Sequence, residues 1–289
     1  MALGNLAQRF LVAVVAAPIL ILILYVDRPE PTFAVIFLAA ILAMREYFAM
    51  TLPAEDRGNA LALGTVAIAA FYWLHPPTAL SYTGDLGGRW YAIAAFAGSS
   101  VALIFAVIVP GLYYLFRFRD MATVAARYAA TVTGIVYAGF LTMFLAFLKT
   151  AGGGDLVLLV LLVAWVADTG AYFAGRFLGK AKLYEAVSPK KTWAGAWGGL
   201  AGSVLGAAVL KLVHFHELAW IDVFLIAIPG GILGQMGDLA ESMIKRSTGV
   251  KDSGALLPGH GGILDRIDAV LFIAPYVYVY IQVRGALSV

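Results

Sequence analysis

The polar chemistry of this chain is concentrated between Gly237 and Asp268, a stretch that carries Asp238, Glu241, Lys245, Arg246, Lys251, Asp252, His260, Asp265, Arg266 and Asp268. Aspartates flanked by lysines and arginines suit a reaction at phosphate. Carboxylates hold Mg²⁺, and the cations neutralise the phosphate oxygens that the metal leaves uncovered. Mg²⁺ takes few protein ligands and completes its shell with water and substrate phosphates, so a small number of aspartates suffices. Gly259, Gly261 and Gly262 surround His260. They let the backbone approach a ligand closely, and successive N–H groups there can form an anion-binding concavity. On composition alone, a solvated loop with a glycine-rich turn is the competing reading.

The spacing is more specific than the composition. Ser242, Ile244, Lys245, Arg246, Lys251, Asp252, Gly254, Leu257, Pro258, His260, Gly261, Gly262, Ile263, Asp265, Arg266, Ile267 and Asp268 follow one another at fixed intervals, preceded by Gly237-Asp238-Leu239-Ala240-Glu241. This pattern resembles the signature of the phosphatidate cytidylyltransferases, and the preceding residues resemble that family's G-D-L-x-E-S entry. A second block is similar as well: Asp168 to Arg176 (DTGAYFAGR), Gly179-Lys180, Lys182-Leu183 and Ser188-Pro189-Lys190-Lys191-Thr192. The resemblance covers residues 160–280, whereas residues 1–150 match only as apolar helices of unspecific character. One departure stands out, because Ala194 occupies a position where the family commonly has glutamate.

The resemblance implies transfer of CMP from CTP to phosphatidic acid, giving CDP-diacylglycerol and pyrophosphate, with Mg²⁺ as cofactor and potassium as a second ion beside it. Asp238 and Asp265 are the first choices for metal ligands, with Asp252, Asp268 and Glu241 as further ligands or supporting groups. Lys245, Arg246, Lys251 and Arg266 would contact phosphate oxygens. Ser188, Lys191 and Thr192 would close over the nucleotide or lipid head group, and Asp168, Arg176, Ser242, Gly261 and Gly262 complete the substrate-binding set. The attacking phosphate is already anionic, so no general base is essential and His260 is expected to position groups. A CTP-using lipid kinase, or a cytidylyltransferase for another lipid phosphate, is the rival within enzymes. A transporter is the rival outside them, although its polar groups would be expected near the midplane in paired halves.

Other features read more plainly. Asp168 closes a long apolar run, which places it beside a polar cavity or at the interface, since an ionised carboxylate at bilayer depth costs about 2.5 to 3.5 kcal/mol. Gly175 to Lys180 lacks the P-loop spacing. His214 and His216, two apart, do not share a helix face and are expected to be ordinary loop histidines. Tyr276, Tyr278 and Tyr280, with Trp73, Trp90, Trp193 and Trp220, suit interfacial anchoring or core packing, and Gly230, Gly234 and Gly237 suit close helix contact.

The elements that position these residues must lie in a membrane. Of the 289 residues, 62% are apolar and 13% charged, and the mean hydropathy is +0.88, outside the range of soluble domains. The chain lacks cysteine, which excludes disulfides and thiolate chemistry. Long apolar runs predict an all-α, polytopic bundle of about nine helices, over 10–26, 33–50, 61–76, 91–116, 130–148, 155–174, 194–213, 221–240 and 267–283, in one domain without internal repeats. The first run is read as a retained helix. The second is the weakest, because Arg45 and Glu46 interrupt it and Pro53 follows, so a partly re-entrant course is open. If nine helices alternate, 15 of the 20 Lys and Arg lie on the side of the N-terminus and five on the other, so the former is cytoplasmic. The expected setting is the inner membrane with the polar loops facing the cytoplasm, among membrane lipids, without nucleic acid, and as a homodimer.

Overall fold

A computed structural model describes residues 16–75, 88–117, 120–256 and 261–287. Helices account for nearly all of it: α1 (residues 16–24), α2 (Glu30–Thr51), α3 (Ala54–Trp73), α4 (Gly88–Arg117), α5 (Met121–Gly134), α6 (Leu141–Leu178), α7 (Trp193–Val213), α8 (Trp220–Ser247) and α9 (Leu264–Leu287). Six helical runs among the described residues are long and apolar enough to cross a membrane. The all-α membrane bundle expected from the sequence is therefore present. The second run, suspected of breaking at Arg45 and Glu46, is one uninterrupted helix of 22 residues.

The longest run, Met121–Leu178, joins α5 to α6 through a π-helical turn at Ile135–Phe140. Its 58 residues would make a rod of roughly 87 Å at 1.5 Å per residue, nearly three bilayer cores. It does not stay straight. Gly152 and Gly153 leave helical geometry, Gly153 with φ 76° and ψ −164°, a backbone region open essentially to glycine. Contacts on either side show the reversal. Arg127, near the start of α5, pairs with Glu55 and Asp56 at the start of α3. Lys149 reaches the Leu24 and Val26 carbonyls at the other end of the bundle. Asp155, just past the break, meets Tyr25 and His214 at that same end. The second arm of α6, residues 154–178, then returns toward the polar loops.

That arm packs antiparallel on α7 through small residues. A Cβ added at Gly198 would fall 2.3 Å from Ala174 Cβ, and one added at Gly202 would fall 2.4 Å from the Val166 carbonyl oxygen. Absent side chains let the two backbones touch, which is how helices associate where lipid tails are as apolar as leucine. The helices α8 and α9 lie against the same pair. Gly234 faces Ile273, and a Cβ at Gly237 would fall 2.5 Å from the Asp268 carbonyl oxygen. The glycines expected to serve helix contact do so here. Within the core, an aromatic group of Phe33, Phe71, Tyr72, Phe140 and Phe147 joins α2, α3, the π-turn and the first arm of α6.

Two departures from the sequence reading concern the site. Residues 179–192 are not plain loop: Lys182–Tyr184 (β1) and Ser188–Thr192 (β2) pair as an antiparallel ribbon, Lys182 opposite Thr192 and Tyr184 opposite Ser188. And α8 does not stop at residue 240 but runs to Ser247, so Glu241, Ser242, Lys245 and Arg246 are helical. Glu, Met, Ile, Lys and Arg are good or fair helix formers, and Glu241 pairs with Lys245 one turn on.

Candidate active site

Where the second arm of α6, the ribbon, α7, α8 and α9 meet, they enclose a cavity of about 490 Å³. All of these elements but α7 bring part of the polar set. The second arm of α6 supplies Asp168, β2 supplies Lys191, α8 supplies Asp238 and Lys245, the following loop Asp252, and the start of α9 Asp265, Arg266 and Asp268, whereas α7 lines the cavity with Gly195 and Ala196. Toward the membrane interior the lining turns to small apolar residues, among them Ala164, Ala167, Gly231 and Gly234, with Ile273.

Two charge groups occupy this cavity. In the first, Lys191 Nζ lies 2.7 Å from Asp238 Oδ2. Asp168, Asp238 and Asp268 repel one another, and Lys191 and Arg266 are the cations that oppose Asp168. In the second, Lys245 Nζ donates to Glu241 Oε2 at 2.5 Å and to Asp265 Oδ1 at 2.6 Å. Asp265 is held further by the Gly262 N–H at 2.8 Å and the Ser253 N–H at 3.0 Å, both on Oδ2. Gly261 makes this possible: its φ is +78°, and a Cβ there would fall 2.6 Å from Asp265 Oδ2. Gly261 and Gly262 were expected to meet a bound substrate, but neither lines the cavity, and the Gly262 N–H goes to a carboxylate of the protein itself.

The remaining expectations divide. Thr192 lines the cavity, yet its hydroxyl oxygen accepts from the Gly195 N–H and caps α7. Ser242 stands behind, its hydroxyl donating to Asp238 Oδ1 at 3.4 Å. Glu241 is fully buried and does not line the cavity, so it supports Lys245 instead of facing a ligand. Arg176 turns away to donate to the Tyr172 hydroxyl, and Arg246 donates to the Val250 carbonyl. Ser188 and Lys251 also lie outside the lining, and His260 lies outside the described residues. Ala194, the departure from the resemblance, is likewise no part of the lining.

Three residues were given no site role by the sequence reading. Lys190 and Gln235 line the cavity, and Gln235 also donates to the Ala196 carbonyl, tying α8 to α7. The third, Glu46, sits on α2 and accepts hydrogen bonds from Ser253, Ile263 and Leu264. Its signal was present as a carboxylate in an apolar run, which marks a polar partner inside the bundle.

Among the described residues no three Asp, Glu or His side chains form a ready metal cage. The donor set nonetheless fits Mg²⁺, since Asp168, Asp238 and Asp268 concentrate negative charge that a divalent cation relieves, and Mg²⁺ asks for only one or two carboxylates beside phosphate oxygens.

Comparison with known proteins decides the grouping. The sequence profile of the cytidylyltransferase family matches residues 7–284. This chain belongs to that family. Its relatives include a Staphylococcus saprophyticus protein, 36% identical over 242 residues that span 83% of this chain and 85% of the relative. A Staphylococcus epidermidis protein is 38% identical over 190 residues, 65% of this chain and 70% of the relative. A Bacillus subtilis protein is 47% identical over 117 residues, 40% and 44% of the two chains. All three are phosphatidate cytidylyltransferases by name. The family match reaches well into the N-terminal half, which the signature blocks left unassigned.

Proposed function

We infer that this chain is a membrane cytidylyltransferase that transfers CMP from CTP to phosphatidic acid. The observation that carries the reading is the convergence of the signature carboxylates and lysines on one cavity at one end of the bundle. A phosphate oxygen of phosphatidic acid attacks the α-phosphorus of CTP in line. The new P–O bond forms as the α–β anhydride bond breaks, and pyrophosphate leaves with the electron pair. Lys191, Lys245 and Arg266 meet the phosphate oxygens, where fixed cations offset charge that spreads in the transition state. Asp238, with Asp268 and Asp168 beside it, would hold Mg²⁺, which would supply charge neutralisation at the CTP phosphates. Asp265, committed to Lys245 and two backbone N–H groups, would be the further ligand, and Asp252 lines the same wall. A potassium ion belongs to the same reading as a second counter-charge. The apolar inner lining suits the glycerol and first methylenes of a lipid.

The expected nine crossings would count the two arms of the Met121–Leu178 run separately and add α1 and α3 to the six long apolar runs among the described residues. The 15-to-5 division of basic residues then puts the cavity end in the cytoplasm. A homodimer is the expected assembly, checked by cross-linking in native membranes. The reaction is tested by incubating purified protein with labelled CTP, phosphatidic acid and Mg²⁺. CDP-diacylglycerol and pyrophosphate are the expected products, whereas CDP with a newly phosphorylated lipid would replace the reading by a lipid kinase.

A further inference from the structure

Glu46 lies on α2, in the half of the chain that the signature blocks do not cover, and is 8% exposed. An ionised carboxylate so placed must be well satisfied. Its Oε1 accepts from the Ile263 N–H at 3.0 Å, and its Oε2 accepts from the Leu264 N–H at 2.9 Å and from the Ser253 hydroxyl at 3.0 Å. Among the described residues no lysine or arginine pairs with it. Its donors are one hydroxyl and the two N–H groups where α9 begins, a place that favours negative charge. The fit is tight, because a Cβ at Gly254 would fall 2.6 Å from Oε1 and one at Gly262 would fall 2.3 Å from Oε2.

The same segments also hold Asp265. Ser253 gives its backbone N–H to Asp265 and its hydroxyl to Glu46, and Gly262 gives its N–H to Asp265 while the next two N–H groups go to Glu46. Two carboxylates therefore grip the residues 253 and 262–264 from opposite sides, one toward the cavity and one toward α2. We propose that Glu46 is a positioning residue for the transfer reaction. It acts through Ser253 and the start of α9 to fix where the Asp265 carboxylate and Lys245 stand. The proposal rests on the cytidylyltransferase reading for the reaction, and on hydrogen bonds alone for the coupling.

Glu46→Gln keeps the shape but turns one acceptor into a donor that faces N–H or O–H groups, so whichever way the amide turns at least one bond is lost. Turnover should fall by roughly 10- to 100-fold, the range seen when a group behind a metal ligand is changed. A fall in kcat with KM for phosphatidic acid little changed is expected. The deciding measurement is the rise in thermal midpoint produced by Mg²⁺ with CTP and no lipid, taken for wild type, Glu46→Gln, Asp265→Asn and the double variant. If Glu46 works through Asp265, Glu46→Gln shrinks that rise in the wild-type background and adds nothing to Asp265→Asn. Equal, additive losses in both backgrounds would reduce Glu46 to a fold-stabilising contact and overturn the proposal, as would full turnover in a folded Glu46→Gln protein. Should Glu46→Gln not fold, Ser253→Ala removes one of the three bonds and must give the same pattern at smaller size. Absence of any rise in wild type would remove Asp265 from the ligand site and the proposal with it. A clear rise in wild type without CDP-lipid formation would instead strike the reaction alone.

Discussion

At the scale of single residues, the site separates groups that face the cavity from groups that hold them. Asp238 and Asp268 face it with Lys191, whereas Glu241 and Ser242 stand behind. Asp238→Asn and Asp268→Asn should each lower turnover more than about 100-fold, beyond the range for supporting groups. Their thermal midpoints should hold or rise, because removing one of three clustered negative charges relieves repulsion when no metal is present. Wild-type turnover with unchanged Mg²⁺ dependence in a folded Asp238→Asn protein would refute its place at the metal. Lys251 is exposed and outside the cavity lining, so its contribution is limited to a phosphate at the rim. Lys251→Ala should raise KM for CTP by roughly tenfold and leave kcat nearly intact, the loss of one charged hydrogen bond made equally in ground and transition states. Steady-state kinetics over a CTP series separates the two constants.

At the scale of elements, the cavity depends on how closely the second arm of α6 approaches α7. Gly202→Leu would place a side chain where only 2.4 Å separates an added Cβ from the Val166 carbonyl oxygen. The helices must part, at a cost of about 1 to 3 kcal/mol or more, and Asp168 and Lys191 should separate with them. A lowered thermal midpoint together with reduced turnover is expected in detergent. A midpoint like that of wild type would refute the contact. Much of this layer was legible beforehand: apolar runs gave the helices, Gly234 and Gly237 gave close packing, and Asp168 at the end of its run gave a polar cavity. The ribbon at Lys182–Thr192 was not legible, because short exposed strands with lysines carry no apolar alternation. The extent of α8 was misjudged for a related reason, since polar residues that turn into a cavity look, in sequence, like the start of a loop. Glu46 was visible but read as a flaw in α2, because its partners are more than 200 positions away.

At the scale of the whole molecule, the two ends of the bundle differ. One carries the cavity, and among the described residues the other is tied together by side chains that reach backbone or one another, including Lys149 to Leu24 and Val26, His214 to Asp155, and Tyr280 to Asp222. Reporter fusions should find the N-terminus inside and the C-terminus outside, and both termini on one side would remove a crossing. The end away from the cavity also holds His75, which stacks on Phe147 at 3.8 Å and shares a 2.7 Å hydrogen bond with the Tyr278 hydroxyl.

The span between Glu46 and its donors also sets a clock. Leu264 is 218 positions further along the chain, which at 5 to 20 residues per second takes a ribosome roughly 10 to 45 seconds to reach. Through most of that interval α2 is made and its carboxylate has none of the three groups that later satisfy it; Ser253 comes first, 207 positions along, and the set is complete only with Leu264. A nascent chain released before α9 would keep that carboxylate unsatisfied for good, a mark by which incomplete copies differ from finished ones.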